Sequence, residues 1–370
     1  MVKEAKYMSL YQKYRPRCLE HVKGQPHIVK SLQNAVVNNR VSHAYLFTGQ
    51  YGGGKTTLSR ILACMLNCQR GMSATPCGVC RICQRIMTGN SIDVVEMDAA
   101  SNRGIDNIRA LTESSSVAPV ESKRKIYILD ECHALTNDAA NALLKTLEEP
   151  SPNLHFCLCT TEPKKVLDTI KSRCQHFEVR SISPQDIAEQ LVLIAKYENI
   201  NIESSSLLSI AHLSNGSMRD AVSNLEGIWN YCGNNDIKEV DIAVFFGKPA
   251  HTVAYDLTDA IISTDINKAL GIISNQIASG VSADALLLDL STYWRNLMLV
   301  KATNKVEILN LGKDMSMKII GHVQRLSNVA KSVMIFQALE EAQRGIAFSI
   351  QSLHVLEACV VKAMIILSSG

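Results

Sequence analysis

Short apolar runs rich in β-branched residues alternate with amphipathic stretches through the first half of the chain. The runs predict five β-strands, at residues 44–48, 93–98, 125–129, 155–160 and 176–179. Between them, apolar residues recur at helical spacing over 57–66, 105–112 and 137–148. Strands that alternate with helices predict an α/β fold with a parallel sheet and helices on both faces. In such a fold a ligand binds at the carboxyl ends of the strands.

The β pattern ends near Ser183-Pro184, and helical spacing continues from there. Short helices are predicted over 184–197, 204–213, 218–231 and 238–246, separated by Asn- and Gly-containing turns. Longer ones follow over 253–262, 266–280, 283–301, 316–350 (with a break) and 353–367. We therefore predict three domains: an α/β domain over 1–181, a small helical domain over 182–246 and an all-helical domain over 247–370.

The bulk composition places the chain among globular proteins. Its 370 residues exceed what one hydrophobic core organises, and 46% are hydrophobic against 20% charged. The start, Met1 to Lys6, is charged where a signal peptide would be apolar, and no run reaches the length of a membrane span. We expect a cytoplasmic protein without a membrane partner.

A phosphate-binding loop of the form G-x-x-x-x-G-K-T follows the first strand. Its glycines let several backbone N–H groups face one anion, while Lys55 reaches the β- and γ-phosphates and the Thr56 hydroxyl ligates Mg²⁺. A Gly-rich surface turn is the alternative, but it leaves the strand–loop–helix order unexplained. The loop residues expected at the nucleotide are Gly49, Gly52, Gly53, Gly54, Lys55, Thr56 and Thr57.

Two adjacent carboxylates, Asp130 and Glu131, end the third predicted strand. Asp130 suits support of Mg²⁺ and Glu131 suits general-base activation of water, which together predict nucleotide hydrolysis. For His133 we favour packing at the strand exit. A hydroxyl at the end of the fourth strand can orient the water or sense the γ-phosphate, and we favour Thr161 over Thr160, against an ordinary strand end.

Two arginines are candidates for contact with phosphate. Arg173, in Ser-Arg-Cys, precedes the last strand, and its planar guanidinium suits the phosphates of a neighbouring subunit. Arg219 begins a helix of the second domain, from which it would couple the nucleotide to the angle between domains. The alternatives are a surface residue for Arg173 and a salt bridge to Asp220 or Glu226 for Arg219.

Four of the twelve cysteines are closely spaced, and two C-x-x-C steps share one of them. Four thiolates on a short loop suit a structural, tetrahedral Zn²⁺ with no open position for catalysis. An iron–sulfur cluster and unligated thiols are the alternatives. The predicted zinc ligands are Cys68, Cys77, Cys80 and Cys83.

With these motifs in this order, the chain resembles the gamma/tau subunit family of bacterial DNA polymerase III, the clamp-loader ATPases. The further matches are Tyr14-Arg15-Pro16, the runs 97–101 and 104–109, and the Leu-Leu-Lys-Thr-Leu-Glu-Glu-Pro run 143–150. The related delta-prime subunit has a degraded phosphate loop, which the intact Lys55-Thr56 argues against. A branch-migration helicase would share the ATP motifs but not the cysteines or the 143–150 run.

The resemblance implies an AAA+ module, a helical lid and a collar domain that assembles with delta, delta-prime and further gamma/tau copies. Such a complex uses ATP to open a sliding clamp and load it on primer–template DNA, so the chain is expected to be a DNA-dependent ATPase of the polymerase holoenzyme. The cofactors implied are ATP, Mg²⁺ and Zn²⁺.

The resemblance also implies roles for single residues. Those that act on the ATP bound by the same chain are Lys55, Thr56, Asp130 and Glu131. Arg173 serves the ATP of the neighbouring subunit, and Arg219 is the lid sensor. Arg15 and Pro16 lie against adenine.

Two positions depart from the family's pattern: Tyr51 stands where the loop usually has arginine, and Cys132 where valine or alanine is commoner. The first is expected to be tolerated, because loop backbone does most of the phosphate binding. A non-hydrolysing, zinc-stabilised structural subunit of the same kind of assembly is the alternative function.

Overall fold

The computed structural model describes residues 8–115, 117–233, 235–246, 250–309, 313–326, 328–346 and 351–368. It divides into two compact units, Met1–Ile242 and Ala243–Gly370. Among the helices in these ranges, none combines the length and apolar character that crossing a membrane would require.

The first part of unit one is built from five strands and the helices between them. The strands are β1 Ala44–Gly49, β2 Val94–Asp98, β3 Lys125–Asp130, β4 Leu154–Thr160 and β5 Gln175–Val179. The helices are α1 Leu10–Lys13, α2 Pro26–Val37, α3 Lys55–Asn67, α4 Arg81–Met87, α5 Ile105–Ser115, α6 Asn137–Glu148 and α7 Asp168–Lys171. Short 3₁₀ turns cover Leu19–His21, Cys132–Ala134 and Pro163–Lys165.

All five strands pair in parallel, in the order β2-β3-β4-β1-β5. Side chains alternate between the two faces, so Tyr45 and Phe47 pack beneath α3, while Ala44 and Leu46 join the core formed with α5 and α6. Because both faces of β1, β3 and β4 are covered, these strands are apolar almost throughout. The sheet therefore brings the end of β1 and the end of β3 to the same edge.

Three further helices lie wholly in unit one: α8 Pro184–Glu198, α9 Ser204–Leu213 and α10 Met218–Cys232. The next helix, α11 Glu239–Phe245, contains the residue at which unit one ends, Ile242. Side chains cap two of them: the Ser183 hydroxyl accepts from the N–H of Asp186, and the Ser217 hydroxyl accepts from the N–H of Asp220. Pro184 occupies the first position of α8, where no intrahelical donor is lost.

Unit two is all-helical over the described residues, and its helices surround one apolar core with the fully buried Trp294. The helices are α12 Ala250–Ile262, α13 Ile266–Ala278, α14 Ala283–Thr303, α15 Lys313–Arg325, α16 Val329–Ile346 and α17 Ser352–Ser368, with a 3₁₀ turn at Glu307–Leu309.

These elements confirm the predicted parallel sheet, the five strands and the helical second half. The break expected within 316–350 falls between Arg325 and Val329. The last residues of that predicted helix, 347–350, and the predicted boundary at 247 lie outside the described residues. The division of unit one near residue 181 stays a prediction.

A buried carboxylate ties the start of β2 to the segment before β3. Asp93 is 2% exposed, and its carboxylate accepts from the backbone N–H groups of Val120, Glu121 and Ser122 at 2.7–2.8 Å. Burial alone would raise the pKa of this carboxyl, but the three N–H donors outweigh it and lower the pKa below its usual value. The folded state is therefore stabilised by the ionised form of the Asp93 carboxylate.

We expect Asp93→Asn to lower the free energy of unfolding at neutral pH by about 2 kcal/mol, because an amide cannot accept all three bonds. Since the folded-state pKa is depressed, the stabilisation is present above the unfolded pKa of about 3.9 and disappears as pH falls through the folded value. Urea unfolding of both chains from pH 7 to pH 3 measures this. Asp168→Asn, at a side chain 97% exposed, is the control, and an equal loss there would contradict the assignment.

Candidate functional site

The phosphate-binding loop lies where β1 turns into α3. A Cβ atom on Gly49 would come within 2.2 Å of the Val179 carbonyl oxygen, so only glycine lets β1 and β5 end side by side. Gly54 has φ of 103° and precedes Lys55, the first residue of α3. The N-terminus of a thirteen-residue helix therefore faces the loop.

Lys55 is 5% exposed, and its Nζ donates to the carbonyl oxygens of Gly49 and Gln50, both at 2.9 Å. The ammonium is thus held inside the turn of the loop. Next to it, the Thr56 hydroxyl donates to Oδ2 of Asp130 at 2.7 Å. A hydroxyl and a carboxylate oxygen this close are the hard oxygen ligands that Mg²⁺ prefers.

Glu131 adopts a left-handed backbone conformation, with φ of 47° and ψ of 45°. Such a conformation costs a non-glycine residue about 1–2 kcal/mol, and residues held in this way cluster at functional sites. Its Oε2 accepts from the Thr161 backbone N–H at 3.2 Å and from the Thr161 hydroxyl at 2.8 Å. Thr161 therefore orients the Glu131 carboxylate from the end of β4.

His133 lies at the strand exit with its side chain 15% exposed, and its ring nitrogens face polar groups. Its Nδ1 forms a hydrogen bond with the Thr160 hydroxyl at 2.9 Å and lies 3.3 Å from Oε2 of Glu131. Its Nε2 lies 3.4 Å from Oε1 of Glu162. The imidazole thus links the strand end of β4 to Glu131. An apolar strand before the histidine suggested packing, and the sequence carried no sign of a facing Thr160.

The loop and the carboxylates open into a cavity of about 490 Å³. Of the predicted residues, those that line it are Arg15, Pro16, Gly52, Gly53, Gly54, Lys55, Thr56, Thr57, Asp130, Glu131 and Arg219. Gly49 and Thr161 are not part of this lining; Gly49 packs against Val179, and Thr161 bonds Glu131. The cavity therefore brings together residues that are far apart in sequence.

Several lining residues were missed by sequence reasoning, among them Glu96 and Asp98 at the end of β2. Their place on a predicted strand that ends at the same sheet edge was the available signal. Glu96 accepts from Nε of Arg60 at 2.7 Å, and Arg60 lies near Arg15. Burial and repulsion from Arg60 lower the pKa of Arg15. Arg15 is thus a largely buried side chain at the cavity wall.

The two predicted arginines lie in different environments. Arg173 is absent from the cavity lining; its Nη1 donates to the Thr169 carbonyl oxygen at 2.7 Å and its Nη2 to Oε1 of Glu148. Arg219 lines the cavity and donates from Nη1 to the Tyr51 hydroxyl at 2.5 Å.

Within the part of the chain that the structure describes, Arg219 forms no salt bridge to Asp220 or Glu226, and its guanidinium bonds the Tyr51 hydroxyl. Both carboxylate oxygens of Glu226 accept from the backbone N–H of Leu10 at 3.2 Å. The guanidinium of Arg219 instead lies beside the rings of Tyr11 and Tyr51.

The four predicted cysteine ligands meet in one cluster, with their sulfur atoms within 4.8 Å of one another. Four sulfurs bound at about 2.3 Å to one tetrahedral ion would lie roughly 3.8 Å apart, so small shifts suffice for a metal ion. Backbone N–H groups of Cys80 and Val79 lower the pKa of the Cys77 thiol to about 6. Burial raises the pKa of the Cys68 thiol, and a hydrogen bond with Cys64 together with burial raises that of Cys83. The thiolate form is therefore favoured at Cys77, and a metal ion would have to displace the protons of the other two thiols.

Comparisons with known proteins agree with this arrangement. Residues 24–183 match the family model of the DNA polymerase III delta subunit, 186–226 that of the clamp loader subunit ATPase lid domain, and 237–369 that of gamma and tau domain III. The DNA polymerase III subunit gamma of Buchnera aphidicola subsp. Acyrthosiphon pisum is 36% identical over 77% of this chain and 78% of its own. The tau subunit of Bacillus subtilis is 39% identical over 81% of this chain and 53% of its own.

The chain thus spans about half the length of the tau relatives that it matches. A solved structure of the Holliday junction branch migration motor RuvB of Thermotoga maritima is also similar. It has a TM-score of 0.49 and 18% identity, over 74% of this chain and 87% of that one.

We expect Thr161→Val to slow single-turnover hydrolysis of prebound ATP by about 10-fold, since one hydrogen bond to a charged group is lost. Affinity for ATP should change by less than about 3-fold, because Thr161 lies outside the cavity lining. Thr161→Ser keeps the hydroxyl and should restore most of the rate. Equal slowing by both substitutions would show that the hydroxyl does not orient Glu131.

Proposed function

The chain belongs to the gamma/tau family of DNA polymerase III subunits, and from this premise we propose that it is an ATP-driven motor subunit of a clamp loader. Its five-stranded parallel sheet with a helical lid is the AAA+ fold. The observation that carries the proposal is a complete hydrolysis set around one cavity: Lys55 in the loop, the Thr56–Asp130 pair and an oriented Glu131.

Nucleotide binding follows from the cavity's chemistry. The loop N–H groups and the helix terminus of α3 favour phosphate, with Lys55 at the β- and γ-phosphates. The Thr56 hydroxyl and Asp130 are the residues that would hold Mg²⁺, which when bound neutralises phosphate charge. Arg15 and Pro16, on the same cavity wall, are proposed to lie against the adenine.

For hydrolysis, we assign Glu131 as the base that takes a proton from the attacking water. Thr161 holds one oxygen of this carboxylate, Oε2, through two hydrogen bonds. Arg173 is proposed to serve the phosphates of a neighbouring subunit, since its contacts with Glu148 and Thr169 hold it away from its own cavity. Arg219 is proposed to be the lid's sensor of the γ-phosphate.

The partners proposed on the same premise are the delta and delta-prime subunits, further gamma/tau copies, a sliding clamp and primer–template DNA, in the cytoplasm. Residues 182–246 would form the lid and 247–370 the collar that assembles these subunits. A non-hydrolysing structural subunit is the alternative function. It is disfavoured because such a role requires no oriented base, whereas two groups of Thr161 hold Glu131.

We expect Glu131→Gln to abolish the stimulation of ATP turnover by clamp and primed DNA in the reconstituted assembly, with a loss of at least about 100-fold. ATP binding should persist, because the phosphate contacts are unchanged. Glu178→Gln, an exposed carboxylate on β5, is the matched control. Stimulated turnover that survives Glu131→Gln would contradict the motor assignment and favour the structural alternative.

For the cysteine cluster we propose one structural zinc, held by Cys68, Cys77, Cys80 and Cys83. Four thiolate ligands that leave no open coordination position suit a structural Zn²⁺, and the chemistry of the cavity requires no electron transfer. Two of the ligands flank helix ends, because Cys68 follows α3 and Cys80 caps α4. The ion would therefore fix the start of α4 to the end of α3.

Metal analysis of protein kept reduced throughout purification is expected to find about one zinc per chain. Cys80→Ser should lose the zinc and lower the thermal unfolding temperature, because the four-coordinate site is broken. Cys232→Ser, at a cysteine outside the cluster, should keep the full zinc content. Iron in place of zinc, or no metal in the unaltered chain, would contradict this site.

A further inference from the structure

Arg219 lies between two tyrosines that come from different parts of unit one. Its Cζ atom is 4.9 Å from the ring centroid of Tyr11 and 5.2 Å from that of Tyr51. The Tyr51 hydroxyl also accepts from Nη1 at 2.5 Å. Both distances are within the range at which an aromatic ring attracts a guanidinium cation. The three side chains line the same cavity as Lys55.

Both tyrosines are brought to Arg219 by specific backbone contacts. Gly52 approaches the lid so closely that a Cβ atom there would lie 1.9 Å from the hydroxyl oxygen of Ser217, which caps α10. Tyr51 is therefore held beside the first turn of α10, where Arg219 lies. On the other side, the bond from Leu10 N–H to Glu226 fastens α1, and with it Tyr11, to α10.

An arginine exposed at a helix start would otherwise sample many rotamers, and ordering it costs side-chain entropy. Arg219 is exposed overall, yet the two rings and one hydroxyl restrict its guanidinium. The Tyr51 hydroxyl takes one of its five N–H donors, which leaves the others for an oxyanion. Among the described residues no carboxylate forms an ion pair with Arg219, so the arrangement orients a cation in the cavity that is not neutralised there.

We propose that Tyr51 and Tyr11 are positioning residues that orient Arg219 toward the terminal phosphate of bound ATP. The inference rests on the proposed function, in which Arg219 senses that phosphate. Tyr51 would thus affect the relative affinities for ATP and ADP through Arg219, and not by contacting a phosphate itself. ADP lacks the γ-phosphate, so the two tyrosines would favour ATP over ADP.

Equilibrium binding of ATP and of ADP to the full chain tests this, in a Glu131→Gln background so that ATP is not consumed. We expect Tyr51→Ala and Tyr11→Ala each to weaken ATP binding by about 5- to 10-fold and ADP binding by less than about 2-fold. Tyr51→Phe keeps the ring and loses the hydroxyl, so an intermediate loss is expected. Tyr231→Ala removes a tyrosine on the same helix as Arg219, with 56% exposure against 57% for Tyr51, and should change neither affinity.

The decisive comparison repeats both alanine substitutions in an Arg219→Ala background. Residues that act through Arg219 should then have no further effect on ATP affinity, whereas independent residues would add their losses. Additive losses, or equal weakening of ATP and ADP, would overturn the positioning role while leaving the motor assignment intact. If Arg219→Ala itself weakens ATP and ADP equally, the sensor role fails first and the positioning role with it. Circular dichroism checks that each variant folds. Where an alanine variant does not, Tyr51→Phe and Tyr11→Leu serve, because the first loses the hydroxyl that accepts from Arg219 and the second loses the ring that faces it.

Discussion

The close approach of β1 to β5 is the constraint on which the site depends. At Gly49 there is no room for a side chain, because a Cβ atom would lie 2.2 Å from the Val179 carbonyl oxygen. This approach fixes where the phosphate-binding loop leaves the sheet. The loop then turns so tightly that the Lys55 ammonium donates to the carbonyl oxygens of Gly49 and Gln50 in the same loop. Helix α3 starts at Lys55. One packing contact thus sets the position of the loop, the lysine and the helix terminus.

The same loop faces two other parts of the chain. On one side Thr56 contacts Asp130 at the end of β3. On the other, Gly52 and Tyr51 contact Ser217 and Arg219 of α10. Because the loop contacts both, a displacement of the loop by bound phosphate would act directly on Asp130 and on the start of α10. Allosteric coupling needs such an element, which two sites both contact.

The sheet, its strands and most helix bounds were predictable, since buried strands and amphipathic helices have strong periodic patterns. Lys55, Asp130 and Glu131 were found because each follows a predicted strand at the expected sheet edge. Other features depend on contacts between distant residues: the Arg219–Tyr51 bond joins positions 168 apart. The left-handed backbone of Glu131 and the polar role of His133 likewise have no local signal, because β4 supplies the groups that face them.

Charge balance in the cavity is consistent with the proposed completion of the site by a neighbouring subunit. The cavity is lined by four Lys or Arg side chains and by four Asp or Glu side chains, so the formal charges of these eight cancel: Arg15, Lys23, Lys55 and Arg219 against Glu96, Asp98, Asp130 and Glu131. MgATP would add two negative charges, and more negative charge develops on the phosphate oxygens during transfer. Preorganised cations are what stabilise such charge. Within the chain Arg173 is held by Glu148 and Thr169, away from this cavity. A cation from a neighbouring subunit would correct the imbalance, so that hydrolysis would depend on assembly.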